Sequence, residues 1–243
     1  MRWLKQTILG IPLLGNGLRQ AGFLAHYAYL RWFQDLRKRM DEGHRRGEWD
    51  YGAGPWKERS HRALVAMVNH IEGQHWGEAL EVGCSAGAFT EELAKHAHSV
   101  TAIDFSPVAC ALASERLRSN PKVRVRQLDV VHDEIPGHYD LIFIMDVLEQ
   151  IHGIERVRQV LLKLAKALRR DGVIVFTGSR LAEWAREHRL ARKLGEGADR
   201  HFILLLETPS LEIAHYEKHP EENKIIPGYP EHTILLLEKT SDL

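Results

Sequence analysis

The feature of this sequence that most limits its fold is a regular alternation of helical and strand-like segments that starts near residue 58. Apolar residues recur at helical spacing over 58–72, and a short apolar strand over 79–82 then enters a glycine-rich turn. Helical spacing returns after the turn, and a second strand covers 99–104. The segment from the first strand to the second is therefore a strand–helix–strand crossover, the unit from which parallel sheets are built.

The alternation continues beyond this unit. Ser106 is expected to cap a further helix whose first residue is Pro107. The last third changes character, with two strand-like segments that predict a terminal antiparallel pair. We therefore predict an α/β, Rossmann-like, doubly wound and mostly parallel sheet, with a C-terminal antiparallel strand pair and an N-terminal helical extension. The remaining expected segments are strands over 123–129, 139–146 and 172–178, helices over 155–169 and near 180–195, and the terminal strands 211–219 and 232–240.

Composition excludes several classes of protein. The 243 residues suit one large domain or one domain with an appendage, and the turn-rich segment 46–55 is the best boundary. We therefore divide the chain into a helical extension, 1–57, and a main domain, 58–243. The 33 basic and 33 acidic residues argue against a nucleic-acid partner and favour a small-molecule substrate. Two cysteines without metal-type spacing predict neither a metal site nor disulfides, and favour a reducing, cytoplasmic location.

The N-terminal extension differs in charge from the rest of the chain. Residues 1–46 contain nine Lys and Arg against three Asp and Glu, an excess of six positive charges. Its apolar runs are too short to span a bilayer. Two interpretations stay open, a packed lid over the main domain and a helical segment that makes peripheral contact with a membrane surface.

The turn EVGCSAGAFT, residues 81–90, fits three kinds of site. As G-x-S-x-G it would make Ser85 a hydrolase nucleophile, but only one strand precedes it and no oxyanion segment of the HGGG type is present. A dinucleotide turn would need glycines at 83, 85 and 88, where the chain has Gly83, Ser85 and Ala88. Asp104 ends the next strand 21 residues after Gly83, where a carboxylate can accept hydrogen bonds from ribose hydroxyls. The third interpretation, a loop that holds a methyl donor with a free ribose, therefore fits best.

Four segments in order resemble the class I S-adenosylmethionine-dependent methyltransferases that act on small molecules. LEVGCSAGAFT resembles their E/D-x-G-x-G-x-G signature, with Ser85 in the place where the middle glycine is commonest. TAIDFSP and RQLDV follow, and YDLIFIMDVLEQIHG is similar to the fourth-strand segment of methyltransferases of quinone biosynthesis. The resemblance covers roughly residues 58–178.

The resemblance implies S-adenosylmethionine as methyl donor and makes Ser85 a loop residue. It implies that Glu81 orients the loop or the donor's amino group and that Asp104 binds the ribose. Asp129 would accept a hydrogen bond from the adenine amine, and the Val130 amide would meet a ring nitrogen. The full set of expected donor-binding residues is Glu81, Gly83, Cys84, Ser85, Gly87, Asp104, Phe105, Asp129, Val130 and Met145.

Methyl transfer from a sulfonium is an in-line displacement, so alignment and exclusion of water should supply most of the rate. A base is needed only for a hydroxyl acceptor, and the acceptor atom is left open among O, N and C. The expected catalytic residues follow the fourth strand: Asp146, Glu149 and His152, of which His152 suits a base best because its reference pKa is near neutral. His188 and His201 are weaker candidates.

The resemblance also implies that the acceptor pocket is built by 1–57 and 179–230, where no further motif is recognisable. The extension carries an aromatic group that either covers an apolar acceptor or packs against the main domain: Trp32, Phe33, Trp49, Tyr51 and Trp56. The alternative to an enzyme is a degenerate methyltransferase fold that serves as a binding or scaffold subunit. The retained Asp104 and Asp129 argue for turnover.

Overall fold

The computed structural model describes residues 35–49, 52–71, 76–151, 153–180, 208–219 and 231–241. Within these ranges the chain forms five α-helices, one short 3₁₀ helix and seven strands. In chain order they are α1 (Leu36–Arg45), α2 (Gly54–His70), β1 (Trp76–Val82), α3 (Ala88–His96), β2 (Ala97–Asp104), α4 (Pro107–Leu117), β3 (Val123–Gln127), β4 (Tyr139–Met145), the 3₁₀ helix (Leu148–Gln150), α5 (Ile154–Ala167), β5 (Leu168–Arg180), β6 (Leu211–His219) and β7 (Glu231–Lys239).

The seven strands form one sheet in the order β3-β2-β1-β4-β5-β7-β6. The first five are parallel, and β7 runs antiparallel to both β5 and β6. The predicted mostly parallel sheet with a terminal antiparallel pair is confirmed. The chain moves outward from β1 to β3 and then returns to place β4 on the other side of β1. This reversal is a topological switch point, where open α/β sheets bind ligands beyond the carboxyl ends of their strands.

Both faces of the sheet are buried, which explains why β4 is apolar from Leu141 to Met145 rather than alternating. On one face, Ile142 and Ile144 of β4 belong to a core that includes Leu161 and Leu164 of α5. On the other face, Phe143 packs edge to face on Phe89 of α3, with ring centroids 5.0 Å apart. Helices on both faces of a parallel sheet give the doubly wound arrangement that the sequence predicts.

Local sequence signals place α3 and α4 at the switch point. The Ser106 hydroxyl accepts a hydrogen bond from the Ala109 amide at 3.1 Å, and Pro107 occupies the first turn, so the predicted cap is confirmed. Gly87 precedes α3 with φ 77°, and a Cβ there would lie 3.1 Å from the Cα of Ala113. The loop after β1 can therefore pack this closely on α4 only with glycine at 87.

The described part of the extension lies on the main domain. Its helix α1 contacts α4, and the predicted division after residue 57 falls inside α2, which begins at Gly54. The helix expected near 180–195 lies outside the described residues. In the described ranges, every helix is too short or too polar to cross a membrane.

Candidate active site

A cavity of about 570 Å³ opens at the switch point, at the carboxyl ends of β1 to β4. Its volume lies within the range of small-molecule sites. The strand ends form one side, and residues in α1 and α2 or close to their ends form the other, which we call the helical wall. The wall consists of Asp35, Leu36, Arg37, Met40, His44, Trp49, Trp56 and Arg59.

The loop after β1 is held to the end of β2 by its backbone. The amides of Gly83 and Cys84 both donate to the Ile103 carbonyl, at 2.8 and 3.0 Å. Gly83 has φ 82°, and a Cβ there would lie 2.5 Å from Cγ2 of Val147, so the position requires glycine. Gly83 and Ser85 line the cavity, as the predicted donor loop requires.

Asp104 joins the loop after β1 to the loop after β2. Its Oδ2 accepts from the Ser85 amide at 3.0 Å, and its Oδ1 accepts from the Ser106 amide at 2.9 Å. Burial raises the pKa of Asp104 to about 6, although these two amides lower it, and the nearby Asp41 charge raises it further. Each carboxylate oxygen has further acceptor capacity, so the group can also accept hydrogen bonds from two hydroxyls.

Three of the predicted donor-binding residues, Glu81, Cys84 and Gly87, do not line the cavity. Glu81 is 2% exposed, accepts from the Thr90 hydroxyl at 2.6 Å, and has its pKa raised to about 8 by burial. Cys84 is buried, and Gly87 faces α4. The absence of a side chain at Gly87 makes room for α4. Direct contact of these three residues with a donor stays a prediction.

The loop after β3 brings Asp129 and Val130 to the cavity, which Phe105 also lines. Burial alone would raise the pKa of Asp129, but hydrogen bonds from His132, at 2.9 Å, and from the Val131 amide, at 3.0 Å, lower it overall. Arg37 of the wall adds a positive charge 3.9 Å from Oδ2. The Asp129 carboxylate is therefore ionised, and the apolar side chains of Phe105 and Val130 line the same cavity.

The end of β4 supplies the predicted Met145, Asp146 and Glu149, all of which line the cavity. Asp146 has φ 54°, an uncommon conformation for a residue other than glycine, and its amide donates to the Thr177 carbonyl at 2.9 Å. Its side chain is 9% exposed and pairs with Arg59 at 3.5 Å. His152, His188 and His201 lie outside the described residues.

Ser85 is not arranged as a hydrolase nucleophile. Its hydroxyl donates to the Trp49 carbonyl at 2.6 Å and lies 3.3 Å from Nδ1 of His44. Burial lowers the pKa of this histidine, while the Asp41 charge raises it. Because the hydroxyl proton is directed at a carbonyl oxygen, the contact holds the donor loop to the wall.

The residues of the wall that sequence reasoning missed include Arg37, Met40, His44 and Arg59. The first three recur at spacings of three and four, so they lie on one face of α1, and this periodicity was the available signal. Of the predicted aromatic group, Trp49 and Trp56 line the cavity. Trp32, Phe33 and Tyr51 lie outside the described residues.

The residues present fit S-adenosylmethionine. Its ribose needs hydroxyl acceptors, which Asp104 provides, and its adenine needs an apolar slot beside an acceptor, which Phe105, Val130 and Asp129 provide. The donor has no phosphate, and the loop after β1 reaches the cavity through a backbone without a side chain at Gly83.

Comparison with known proteins shows the family of this chain. The family model described as Nodulation protein S (NodS) matches residues 34–213, which is 180 of the 243 residues. Nodulation protein S of Azorhizobium caulinodans is 32% identical over 147 residues, which cover 60% of this chain and 68% of that protein. The Rhizobium tropici protein is 32% identical over 138 residues, which cover 54% of this chain and 58% of that protein. The matches thus span 58% to 68% of the length of these curated relatives.

A solved structure shares the fold. The N-methyltransferase NodS from Bradyrhizobium japonicum WM9, solved in complex with S-adenosyl-L-homocysteine, superposes with a TM-score of 0.70 at 20% identity, covering 86% of this chain and all of that one. The likeness supports the sheet order and the helical placement described above. On the extent of the family match, this chain belongs to the nodulation protein S (NodS) family of class I S-adenosylmethionine-dependent methyltransferases.

Proposed function

We propose that this protein transfers a methyl group from S-adenosylmethionine to an amine nitrogen of a small-molecule acceptor bound in the cavity. The observation that carries the proposal is Asp104, a buried carboxylate that ties together two loops and faces the cavity. The choice of nitrogen is supported by the activity named for the Bradyrhizobium japonicum relative.

The donor supplies a methyl group on a positively charged sulfur, and the residues of this chain bind and orient it. Asp104 accepts hydrogen bonds from the ribose hydroxyls. Asp129 accepts from the adenine amine, the Val130 amide donates to a ring nitrogen, and Phe105 covers one face of the adenine. Glu81 does not line the cavity and acts indirectly, because its contact with Thr90 fixes the first turn of α3.

The acceptor binds beyond β4, between the strand end and the helical wall. An amine is nucleophilic only through its lone pair, so a carboxylate that accepts its N–H aims that lone pair at the methyl group. Asp146 and Glu149 both line the cavity there and are proposed for this role. His152 stays a candidate base.

The extension acts as a lid rather than as a membrane anchor. This is supported by the contacts of α1, which reach Ser85 through His44, Ser106 through Asp41 and Asp129 through Arg37. A cytoplasmic protein without a nucleic-acid partner fits the charge balance. Co-sedimentation with anionic vesicles at low and moderate salt tests the lid. A lid leaves the full chain in the supernatant, whereas salt-sensitive binding by the full chain, lost in a chain beginning at Glu48, contradicts it.

The test of the function is transfer of label from methyl-labelled S-adenosylmethionine to small molecules in a fractionated extract of the source cells. We expect one fraction to become labelled by the wild-type protein, and the Asp104→Ala variant to label it far more slowly at limiting donor. A protein that binds S-adenosylhomocysteine but labels no fraction would instead be the scaffold subunit that the sequence leaves as the alternative.

A further inference from the structure

We propose that Arg59 of α2 is a positioning residue. It holds the Asp146 carboxylate in the orientation that accepts the N–H of the acceptor amine. The inference rests on the proposed function, because Asp146 is there assigned to the acceptor nitrogen. Arg59 belongs to no motif of the sequence. It enters the site through a helix that precedes the whole sheet.

The contact between the two side chains is largely buried. Nη1 of Arg59 lies 3.5 Å from Oδ2 of Asp146, with the side chains 12% and 9% exposed. Separating two opposite charges in a buried site is costly, so each group restricts the position of the other. The backbone of Asp146 is fixed as well, by its left-handed conformation and its bond to the Thr177 carbonyl. The carboxylate therefore has a defined place at the cavity surface.

Arg59 is itself held by an aromatic platform. Its guanidinium carbon lies 4.8 Å from the ring centroid of Trp56, within the range of a cation–π contact. Trp56 in turn packs on Trp49, with centroids 5.6 Å apart and planes inclined at 57°. A planar guanidinium can stack on a ring and still direct its N–H groups sideways at a carboxylate, which an ammonium cannot do.

The platform is anchored to the donor loop. The Trp49 carbonyl accepts from the Ser85 hydroxyl at 2.6 Å, so a continuous series of contacts runs from Ser85 through Trp49, Trp56 and Arg59 to Asp146. The serine in place of the commonest glycine thus fixes the distance between the donor loop and the acceptor side. Methyl transfer depends on that distance, since a displacement of about 1 Å can cost roughly 100-fold in rate.

The neighbouring cation on α2 provides a matched control. Arg62 follows Arg59 by three residues, pairs with Glu58 on the same helix and does not line the cavity. We therefore compare Arg59→Gln and Arg59→Lys with Arg62→Gln. The lysine variant keeps a charge if the glutamine variant fails to fold.

The experiment measures two quantities for each variant. Binding of S-adenosylhomocysteine is measured by calorimetry and needs no acceptor. Transfer of label from S-adenosylmethionine is measured with the extract fraction that the wild-type protein labels. We expect Arg59→Gln to lower kcat by about 10- to 100-fold at saturating acceptor, with Arg59→Lys in between, while donor affinity changes less than about threefold in all variants. Arg62→Gln should match the wild type.

A double-mutant cycle shows whether Arg59 acts through Asp146. If it does, adding Arg59→Gln to Asp146→Asn lowers kcat little further, because the positioned group is already lost. Multiplicative losses, a change in acceptor KM alone, or wild-type turnover in Arg59→Gln would each overturn the inference. If the wild-type protein binds S-adenosylhomocysteine but labels no fraction, the proposed function fails, and this inference fails with it.

Discussion

The two sides of the cavity are built in different ways. On the donor side, each polar residue lies at the end of its own strand or in the loop that follows, and backbone amides two and nineteen residues away hold Asp104. On the wall side, contacts join distant parts of the chain, such as Arg39 to Gln150, which are 111 residues apart. A sequence motif can reveal the donor side because its residues lie in short continuous segments. The wall side depends on how α1 and α2 pack on the folded sheet.

The sides also differ in how they hold charge. Glu81 and Asp104 are buried next to neutral donors, and burial raises their pKa values to about 8 and about 6. On the wall, Arg59 and Arg37 pair with Asp146 and Asp129. Changes of pH within the physiological range should therefore act mainly through the donor side.

The largest expected effect concerns Glu81 and stability. Because the folded protein keeps a proton on Glu81 up to about pH 8 and the unfolded chain loses it near 4.5, this group's contribution is complete below 4.5 and is lost as pH rises through 8. Relative to wild type, Glu81→Gln should gain up to about 5 kcal/mol in free energy of unfolding between pH 4.5 and pH 9. Denaturant titrations measure it.

The half-buried Glu78 on the same strand provides the control. Glu78→Gln should follow the wild-type pH profile more closely than Glu81→Gln does. Parallel profiles for wild type and Glu81→Gln would show that Glu81 is not held as a neutral group. The proposed difference between a neutral donor side and an ion-paired wall would then be wrong for Glu81.

Asp104 should show the largest effect on donor binding. Removing its charge in Asp104→Asn, or its whole carboxylate in Asp104→Ala, should cost about 1.5 to 3 kcal/mol, or roughly 10- to 150-fold in Kd for S-adenosylhomocysteine. Asp140→Asn is the control because Asp140 lies on β4 at the end away from the cavity and pairs with Arg169. Unchanged affinity in both Asp104 variants would remove Asp104 from the site.

The pH dependence of donor binding should be smaller. The ribose hydroxyls donate to an ionised carboxylate, so the affinity for S-adenosylhomocysteine should be level above pH 7 and fall below about pH 6, where Asp104 gains a proton. If binding requires the Asp104 charge, the affinity for S-adenosylhomocysteine should fall by about tenfold per pH unit well below pH 6. Calorimetry from pH 5 to 8 measures it, and Asp104→Asn should give a flat profile. A sloping profile in that variant would assign the titration to another group.

Ser85→Ala should have the smallest effect, because the serine touches both sides without carrying the chemistry. Losing its bond to the Trp49 carbonyl loosens the wall, so we expect a reduction in methyl transfer of about two- to tenfold and a change in donor affinity below threefold. Assays of label transfer at saturating donor measure it. Complete loss of transfer with donor binding intact would restore the nucleophile interpretation of G-x-S-x-G.

Features that depend on neighbouring residues could be predicted from the sequence, whereas contacts between distant segments could not. The crossover 79–104, the Ser106 cap and the terminal strand pair could be predicted, since periodicity and capping express backbone geometry directly. It could not order β7 between β5 and β6, because either strand of an antiparallel pair can join the sheet edge. It also could not foresee Arg59, whose partner is decided by the packing of α2. The one departure from the signature, Ser85, lies where the two sides meet.

A donor site for S-adenosylmethionine at the carboxyl ends of β1 to β3 is the central prediction. Thermal unfolding of the wild-type protein with S-adenosylhomocysteine, or with NAD at the same concentration, tests this most directly. At 100 times Kd, a bound ligand stabilises by about 2.7 kcal/mol, which should raise the Tm by roughly 5 to 10 °C for a chain of this size. We predict this shift with S-adenosylhomocysteine and none with NAD. Stabilisation by NAD and not by S-adenosylhomocysteine would contradict the account.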